Sequence, residues 1–138
     1  MSQTIAGTQR AQDLSVPDTL EATSKYFVIP HPAEPGKQLV HAAIESNQHL
    51  VMYHGILDFE PFDKRKVIPL PQYFSALVNE DDVTIHLTPL NNYDQFTYCY
   101  DYVHGEWIVR RRGFIRPVSV SYLVIAERKD IPKLEETR

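Results

Sequence analysis

Residues 83–88 read Val83-Thr84-Ile85-His86-Leu87-Thr88 and alternate strictly between apolar and polar side chains. Successive side chains of a β-strand point to opposite faces, so this period of two predicts a strand with one buried face. We expect Val83, Ile85 and Leu87 to lie on that face. The stretch therefore predicts a fold built on half-buried antiparallel sheets.

Further strand patterns lie on both sides of this stretch. Runs rich in β-branched and aromatic residues predict strands at 26–29, 39–45, 50–57, 67–68, 96–103, 107–109 and 118–126. The polar connector at 46–48 predicts that the strands before and after it pair as a hairpin. His104-Gly105 predicts a tight turn onto the strand that contains Trp107.

One short helical turn is expected among these strands. Pro69 and Pro71 cannot donate to a sheet ladder, so they end a strand, and Pro71 suits the start of a helix. We predict the turn at 72–77, with three side chains turned inward: Tyr73, Phe74 and Leu77. In the last strand we expect one common face for Val118, Val120, Tyr122 and Val124.

The composition fits one β-rich domain. The chain has 138 residues, of which 43% are hydrophobic and 11% aromatic, so it can bury one core. About seven short strands without a long amphipathic helix predict an all-β fold, mainly antiparallel, either a β-sandwich or a small barrel, and we favour the sandwich. The predicted organisation is an extended N-terminal arm at 1–24, the sandwich at 25–130 and a charged tail at 131–138.

Charge and cysteine content exclude several classes of protein. A formal net charge of −4 gives no general attraction to nucleic acid. The single cysteine, Cys99, allows no intrachain disulfide, and we expect it to be a small buried group. No stretch resembles a signal peptide or reaches membrane-spanning length, so we expect a protein that is made in the cytoplasm and stays soluble unless another chain carries it elsewhere.

Arg110-Arg111-Arg112 is the one run of consecutive arginines in the sequence. It follows an apolar strand and is typical of the polar end of a strand pair. The alternative is contact with a phosphate group or an acidic partner. The three arginines are therefore candidate partner-binding residues.

No pattern in the sequence predicts catalysis. The six histidines show no metal-binding spacing, and Cys99 has no partner, so we expect neither a metal nor a cofactor. No strained serine or cysteine turn and no Gly-rich phosphate loop occurs. The sequence predicts that the protein is not an enzyme and has no catalytic residues.

Aromatic side chains alternate along the strand at 96–103. Every second residue here is aromatic: Phe96, Tyr98, Tyr100 and Tyr102. Trp107 follows on the other side of the predicted turn. This pattern is more typical of a core or a sheet surface than of a ligand platform. The alternative is a carbohydrate-binding surface, for which the candidates are Tyr98, Tyr100 and Trp107, because exposed rings stack on sugar faces.

Five ordered blocks within residues 26–130 carry a family resemblance. They are Tyr26-Phe27-Val28-Ile29-Pro30-His31-Pro32, the strand Leu39 to Ser46, Tyr53-His54-Gly55 with Leu57-Asp58, the box Leu70-Pro71-Gln72-Tyr73-Phe74-Ser75-Ala76-Leu77, and Val118 to Val124 leading into Arg128-Lys129-Asp130. Together they resemble a small β-rich domain that recurs in bacteriophage tail-fibre-like proteins and at the ends of bacterial surface or exported proteins. The chain departs from that pattern at Pro30, Tyr122 and Ala126 and in the longer segment 91–116.

The resemblance implies a structural role. It carries over no catalytic residue, and a nearly stand-alone copy with an arm looks like a virion subunit. The hypothesis is a bacteriophage structural protein, in which the β-domain attaches to a tail, fibre, neck or capsid site and residues 1–24 thread onto neighbouring subunits. The candidate arm contacts are Ile5, Leu14, Val16 and Leu20. A homo-oligomer is expected, with a trimer favoured, and a host surface glycan is the alternative partner.

Overall fold

The structure is a computed structural model that describes Ser15 and residues 19–137. Two compact units divide the chain, Met1–Glu45 and Ser46–Arg138. The described part of the first unit contains a two-stranded sheet, and the second unit contains two three-stranded sheets. The division assigns the first hairpin to the first unit, while the predicted limits 1–24, 25–130 and 131–138 stay predictions.

The first unit is organised by an antiparallel hairpin. Strand β1 (Tyr26–Pro30) pairs with β2 (Gln38–Ala42). The connection closes through the His31 amide, which donates to the Lys37 carbonyl at 3.0 Å. Gly36 has a φ of +80°, a left-handed conformation that favours glycine. The proline-rich stretch after β1 is therefore the turn of a hairpin.

This hairpin corrects one predicted pairing. The strand predicted at 39–45 pairs with β1, and the strand predicted at 50–57 pairs with the last strand of the chain. The prediction that these two strands form a hairpin is therefore wrong. The physical reason is that β2 ends at Ala42, and the compact unit that contains it ends at Glu45.

Six strands and two helical turns form the second unit. In chain order they are β3 (Leu50–Phe59), β4 (Arg65–Val67), α1 (Phe74–Leu77), a 3₁₀ turn (Glu80–Asp82), β5 (Thr84–Leu90), β6 (Phe96–Asp101), β7 (Glu106–Arg111) and β8 (Val118–Glu127). One sheet has the order β3-β8-β5 and the other has the order β4-β7-β6. Every strand pair is antiparallel.

Both sheets contribute to one core, so the fold is an all-β sandwich, as the sequence predicts. Phe59, Val120 and Val124 come from the first sheet, and Val109 comes from the second. All four side chains are at most 1% exposed. Burying this apolar surface is the main favourable term in folding the unit.

Most predicted faces are confirmed. Val83 and Ile85 are buried, and Leu87 is partly buried against the core. Val120, Tyr122 and Val124 of β8 are buried as well. The turn predicted at 72–77 contains α1, where Phe74 is buried and Leu77 is partly buried.

Tyr73 departs from the prediction of an inward side chain. It lies just before α1 and is 61% exposed, so that prediction is wrong. Its hydroxyl pairs with Tyr53, and partial burial together with this hydrogen bond raises the pKa of Tyr53 above its ordinary value. Phe74 and Leu77 occupy the core side of this turn, and Tyr73 lies outside it.

Gly55 of β3 marks the closest approach within the first sheet. It pairs with Tyr122 of β8, whose ring covers the glycine. A Cβ atom added at Gly55 would lie 2.5 Å from Cζ of Tyr122. The tyrosine therefore occupies the space that a side chain at position 55 would fill.

Cys99 is exposed, which contradicts the prediction that it is buried. It pairs with Ile108 on β7, while its neighbours Tyr98 and Tyr100 pair with Val109 and Trp107. Val109 and Trp107 face the core. Cys99 has the opposite parity and therefore points away from the core.

Candidate functional site

The β1–β2 hairpin presents an apolar surface. Strand parity places Tyr26, Val28, Val40 and Ala42 on one side of the hairpin, and we call these four residues the hairpin face. All four are exposed, and Val40 is 53% exposed. Val28 and Val40 are direct cross-strand partners at its centre.

The opposite side of the hairpin is only slightly better covered. Ile29 and Leu39 are half-buried partners, and the Phe27 ring lies 6.3 Å from the His41 ring. None of the ten strand residues, all of which the structure describes, is buried. A two-stranded hairpin is marginally stable by itself in water. This hairpin therefore needs another surface to hold it.

The predicted arm contacts can be placed only in part. Ile5, Leu14 and Val16 lie outside the described residues. Leu20 is described and is 43% exposed. It lies close in sequence to β1 and adds to the exposed apolar residues of the first unit.

The three consecutive arginines point alternately to the two sides of the sheet. Arg110 and Arg112 are exposed, whereas Arg111 points inward and is buried. Arg111 Nη1 donates to the Arg116 carbonyl at 2.7 Å, and its guanidinium lies 5.7 Å from the centroid of the Phe59 ring. A partner can therefore reach only the two outer arginines of the candidate run.

Arg111 is incompletely paired for a buried cation. Its Nε lies 3.9 Å from Asp94 Oδ2, beyond hydrogen-bond distance. Among the residues that the structure describes, Nε and Nη2 have no hydrogen-bond partner. The side chain joins the end of β7 to the loops that carry Asp94 and Arg116. Its role in this structure is to support those loops.

The exposed arginines lie beside further basic residues. Arg110 pairs across the ladder with Arg65, which also makes an ion pair with Asp101 at 3.1 Å. Arg112 Nη1 donates to Gln95 Oε1 at 3.0 Å. Like charges opposite each other on a sheet are destabilising. The exposed surface formed by Arg65, Arg110 and Arg112 is therefore suited to an acidic partner.

The aromatic residues of β6 and β7 form a packed cluster. The Trp107 ring lies 5.0 Å from Tyr100 and 6.2 Å from Tyr98, and Tyr100 lies 5.0 Å from Tyr102. Tyr100 and Trp107 are half-buried, while Tyr98 is 37% and Tyr102 is 88% exposed. Of the predicted aromatic surface, mainly Tyr98 offers an accessible ring face, and Tyr102 adds a second.

The turn between β6 and β7 is fixed by Asp101. Its Oδ1 accepts from the Val103 amide at 3.0 Å, and its Oδ2 contacts His104 Nδ1 at 2.9 Å. The His104 side chain, the amides of His104 and Val103, and Arg65 together lower the pKa of Asp101 to about 2. The carboxylate therefore stays charged and holds the turn over a wide pH range.

Two open cavities lie in the second unit. One, of about 600 Å³, runs along β5 and β6 and is lined in part by His86, Thr88, Thr97 and Tyr98. The other, of about 410 Å³, lies where β3 and β5 end and is lined in part by Asp58, Glu60, Asn91, Asn92 and Ser119. The first has the aromatic and hydroxyl groups that a sugar would use, and the second is acidic.

The titratable residues do not converge on a catalytic centre in the described structure. His54 Nε2 lies 3.0 Å from Ser121 Oγ, but both side chains lie on an open sheet face. No carboxylate pairs with this imidazole within residues 19–137, and no three metal-ligating side chains group together there. The expectation that the protein is not an enzyme stays a prediction.

Comparisons with protein-family models, curated proteins and solved structures find no match to this chain. No helix within the described part of the chain is long and apolar enough to cross a membrane. The resemblance to tail-fibre-like domains therefore stays a prediction.

Sequence reasoning missed the hairpin face. Residues 26–29 form an unbroken apolar run, which resembles a strand buried on both faces. The signal available was the Pro30 to Gly36 stretch, whose prolines and glycine fit a turn to a neighbouring strand. If this stretch is taken as the turn between the strands at 26–29 and 38–42, the sequence predicts a hairpin of these two strands.

Proposed function

We propose that this protein is a structural subunit of a bacteriophage virion, attached at a tail, fibre, neck or capsid site through its N-terminal unit. The observation that carries the proposal is the hairpin face, an apolar surface on a hairpin without a buried residue among those described. The five sequence blocks that resemble tail-fibre-like domains supply the virion context. The protein acts there as a binding component without catalysis.

The chemistry of the hairpin face favours a protein partner. Tyr26, Val28 and Val40 form a flat apolar surface, whereas small-molecule sites are concave and contain converging polar groups. Covering Val28 and Val40 stabilises a contact by roughly 2 kcal/mol at their present exposure. The occupant is an apolar surface of a neighbouring virion protein.

The two units have different roles in such a subunit. The sandwich has its own core and folds around it, while the hairpin has no buried residue among those the structure describes and would gain stability by docking. Segments that order on binding can cover a large surface for a short chain. Arg110 and Arg112 on the second unit provide an additional contact for an acidic neighbour.

The test is incorporation into particles. Phage particles purified on a density gradient from bacteria that express the chain should contain it. Replacing both central residues of the hairpin face, Val28→Asp with Val40→Asp, should reduce incorporation about tenfold or more, because burying a carboxylate without a partner is costly. Deleting residues 1–21 should also reduce incorporation.

A matched control uses the second unit. Thr84→Asp with Thr88→Asp places two carboxylates on exposed positions of β5 and should leave incorporation unchanged. Trp107 fluorescence should show the folded sandwich in both double variants. The proposal is overturned if the unchanged chain is absent from particles, or if the Val28 and Val40 variant incorporates normally.

A second candidate function is a receptor-binding or glycan-binding tip. The exposed rings of Tyr98 and Tyr102, with the adjacent cavity along β5 and β6, favour it. Glycan-array binding that is lost in Tyr98→Ala and retained in Tyr26→Ala would support this function. No glycan binding by the unchanged chain would exclude it.

A further inference from the structure

Strand β3 is a long and open sheet edge. Within residues 19–137 its ten residues pair with β8 alone, and the sheet order places it at the border. In an antiparallel pair, every second residue directs its N–H and C=O away from the partner. β3 therefore offers a row of backbone donors and acceptors to another strand.

Two of the other edges of the sandwich, β4 and β5, carry features that block pairing. β4 is three residues long and contains Arg65 and Lys66, and β5 contains Pro89, which cannot donate. β3 contains no proline, lysine or arginine. The remaining edge, β6, also lacks these residues but is six residues long, so β3 with its ten residues is the longest unprotected edge.

The outer side of β3 is apolar as well as unpaired. Met52 is 62% and Ile56 is 55% exposed, with His54 between them. On β8 these two residues pair with Ile125 and Ser121, which lie on the same side of the sheet. An edge strand with exposed apolar side chains is a site for strand addition.

We propose that two copies of this chain associate by antiparallel pairing of β3 with β3, with His54 of each copy on the twofold axis. This arrangement sets Met52 of one copy opposite Ile56 of the other, and by symmetry the reverse. On the core side it sets Tyr53 opposite Gly55. The two three-stranded sheets then form one continuous six-stranded sheet.

The sequence of β3 is complementary to itself in this register. Residues 50–58 of each copy pair throughout, and the two exposed apolar side chains cover each other. Moving the axis to Gly55 separates Met52 from Ile56 and places Met52 opposite the Asp58 carboxylate, whereas the axis at His54 keeps Asp58 at the end of the pairing, opposite Leu50. Moving it to Tyr53 shortens the pairing to residues 50–56. A closed twofold contact of this kind uses the same surface on both copies.

This proposal is independent of the proposed virion role. It uses β3 of the second unit, whereas attachment to the virion uses the hairpin face of the first. It also differs from the trimer that the sequence analysis expects, because edge pairing about a twofold axis closes at two copies. Each can therefore fail without the other.

Sedimentation velocity of the full chain tests the association. The unchanged chain should form a dimer, and Ile56→Lys should weaken self-association about tenfold or more, because lysine protects sheet edges from pairing. Thr88→Lys, at an exposed position of β5, is the matched control and should remain a dimer. A monomeric unchanged chain, a trimer, or a dimeric Ile56→Lys variant would overturn the proposal.

Cysteine cross-linking tests the register. In a Cys99→Ser background, His54→Cys should form an intermolecular disulfide under mild oxidation. Directly opposite Cα atoms in an antiparallel pair are about 4.5–5.5 Å apart, which suits a disulfide. Met52→Cys lies away from its own symmetry mate and should not cross-link. The reverse result would overturn the register and with it the axis at His54.

Discussion

The β1–β2 and β6–β7 hairpins have similar local structure and different surroundings. Both are antiparallel, and each turn contains a left-handed glycine, Gly36 at +80° and Gly105 at +68°. In β7, Ile108 and Val109 are at most 1% exposed. In the first hairpin, Val40 is 53% exposed although it belongs to an equally apolar strand.

The difference shows that apolar sequence does not by itself determine burial. β7 pairs on both sides, with β4 and β6, and its inner face lies against the other sheet. β1 and β2 have no third strand among the described residues. A hairpin is stabilised by what it packs against more than by its own side chains. The same substitution should therefore have unequal effects in the two hairpins.

The largest expected difference concerns one phenylalanine in each hairpin. Phe96 of β6 packs against the core, with its ring 5.6 Å from Phe59. Phe96→Ala should reduce the free energy of unfolding of the second unit by about 3 kcal/mol. Phe27→Ala should change it by less than about 0.5 kcal/mol, because Phe27 is exposed. Urea unfolding followed by fluorescence of Trp107, the single tryptophan, measures both.

A smaller and more closely matched difference concerns two valines. Val109→Ala removes two buried methyl groups and should cost about 2 kcal/mol of unfolding free energy. Val40→Ala makes the same chemical change on the hairpin face and should cost less than about 0.5 kcal/mol in the isolated chain. Equal losses in the same urea titration would show that the hairpin is buried in solution.

The turn glycines should give a still smaller effect, and a local one. Alanine is strained at positive φ, so Gly105→Ala should lower the unfolding free energy of the second unit by about 1 kcal/mol. Gly36→Ala should loosen only the first hairpin. Faster amide exchange in β1 and β2, with an unchanged unfolding midpoint for Trp107, is the expected result. A shifted midpoint in Gly36→Ala would contradict it.

The smallest effect should come from pH at the β6–β7 turn. The folded pKa of Asp101, about 2, lies below its ordinary value of 3.8. The carboxylate therefore contributes stability that is present above about pH 4 and is lost as pH falls towards 2. Asp101→Asn should remove this part of the pH dependence. An unchanged slope of stability between pH 4 and 2 in the variant would show that the contacts of Asp101 do not persist in solution.

Local sequence patterns were sufficient for the sandwich and insufficient for the pairing of its strands. The alternation at 83–88 and 118–126 identifies both strands and their buried faces, because it depends only on neighbouring residues. The partner of β3 depends on β8, which begins nearly sixty positions later, and no local signal specifies it. The connector at 46–48 therefore indicated the wrong hairpin.

The candidate sites show the same limit. Arg111 has the parity of Val109 and Trp107, so counting along β7 predicts that it points inward. Its charge predicts the opposite, and only the stacking on Phe59 and the bond to the Arg116 carbonyl show how the core accepts it. Likewise, Val28 and Val40 are exposed because no third strand pairs with the hairpin within residues 19–137, and the residues of the hairpin do not encode this.

The contact of Gly55 with Tyr122 has a consequence for how this sequence can vary. The tyrosine ring fills the volume above the glycine, so neither residue can be exchanged freely while the other is kept. A larger residue at 55 requires a smaller one at 122, and a smaller residue at 122 leaves a hollow that a side chain at 55 can refill. In related sequences positions 55 and 122 should therefore covary. A library that randomises both positions should contain folded members that libraries of single substitutions miss.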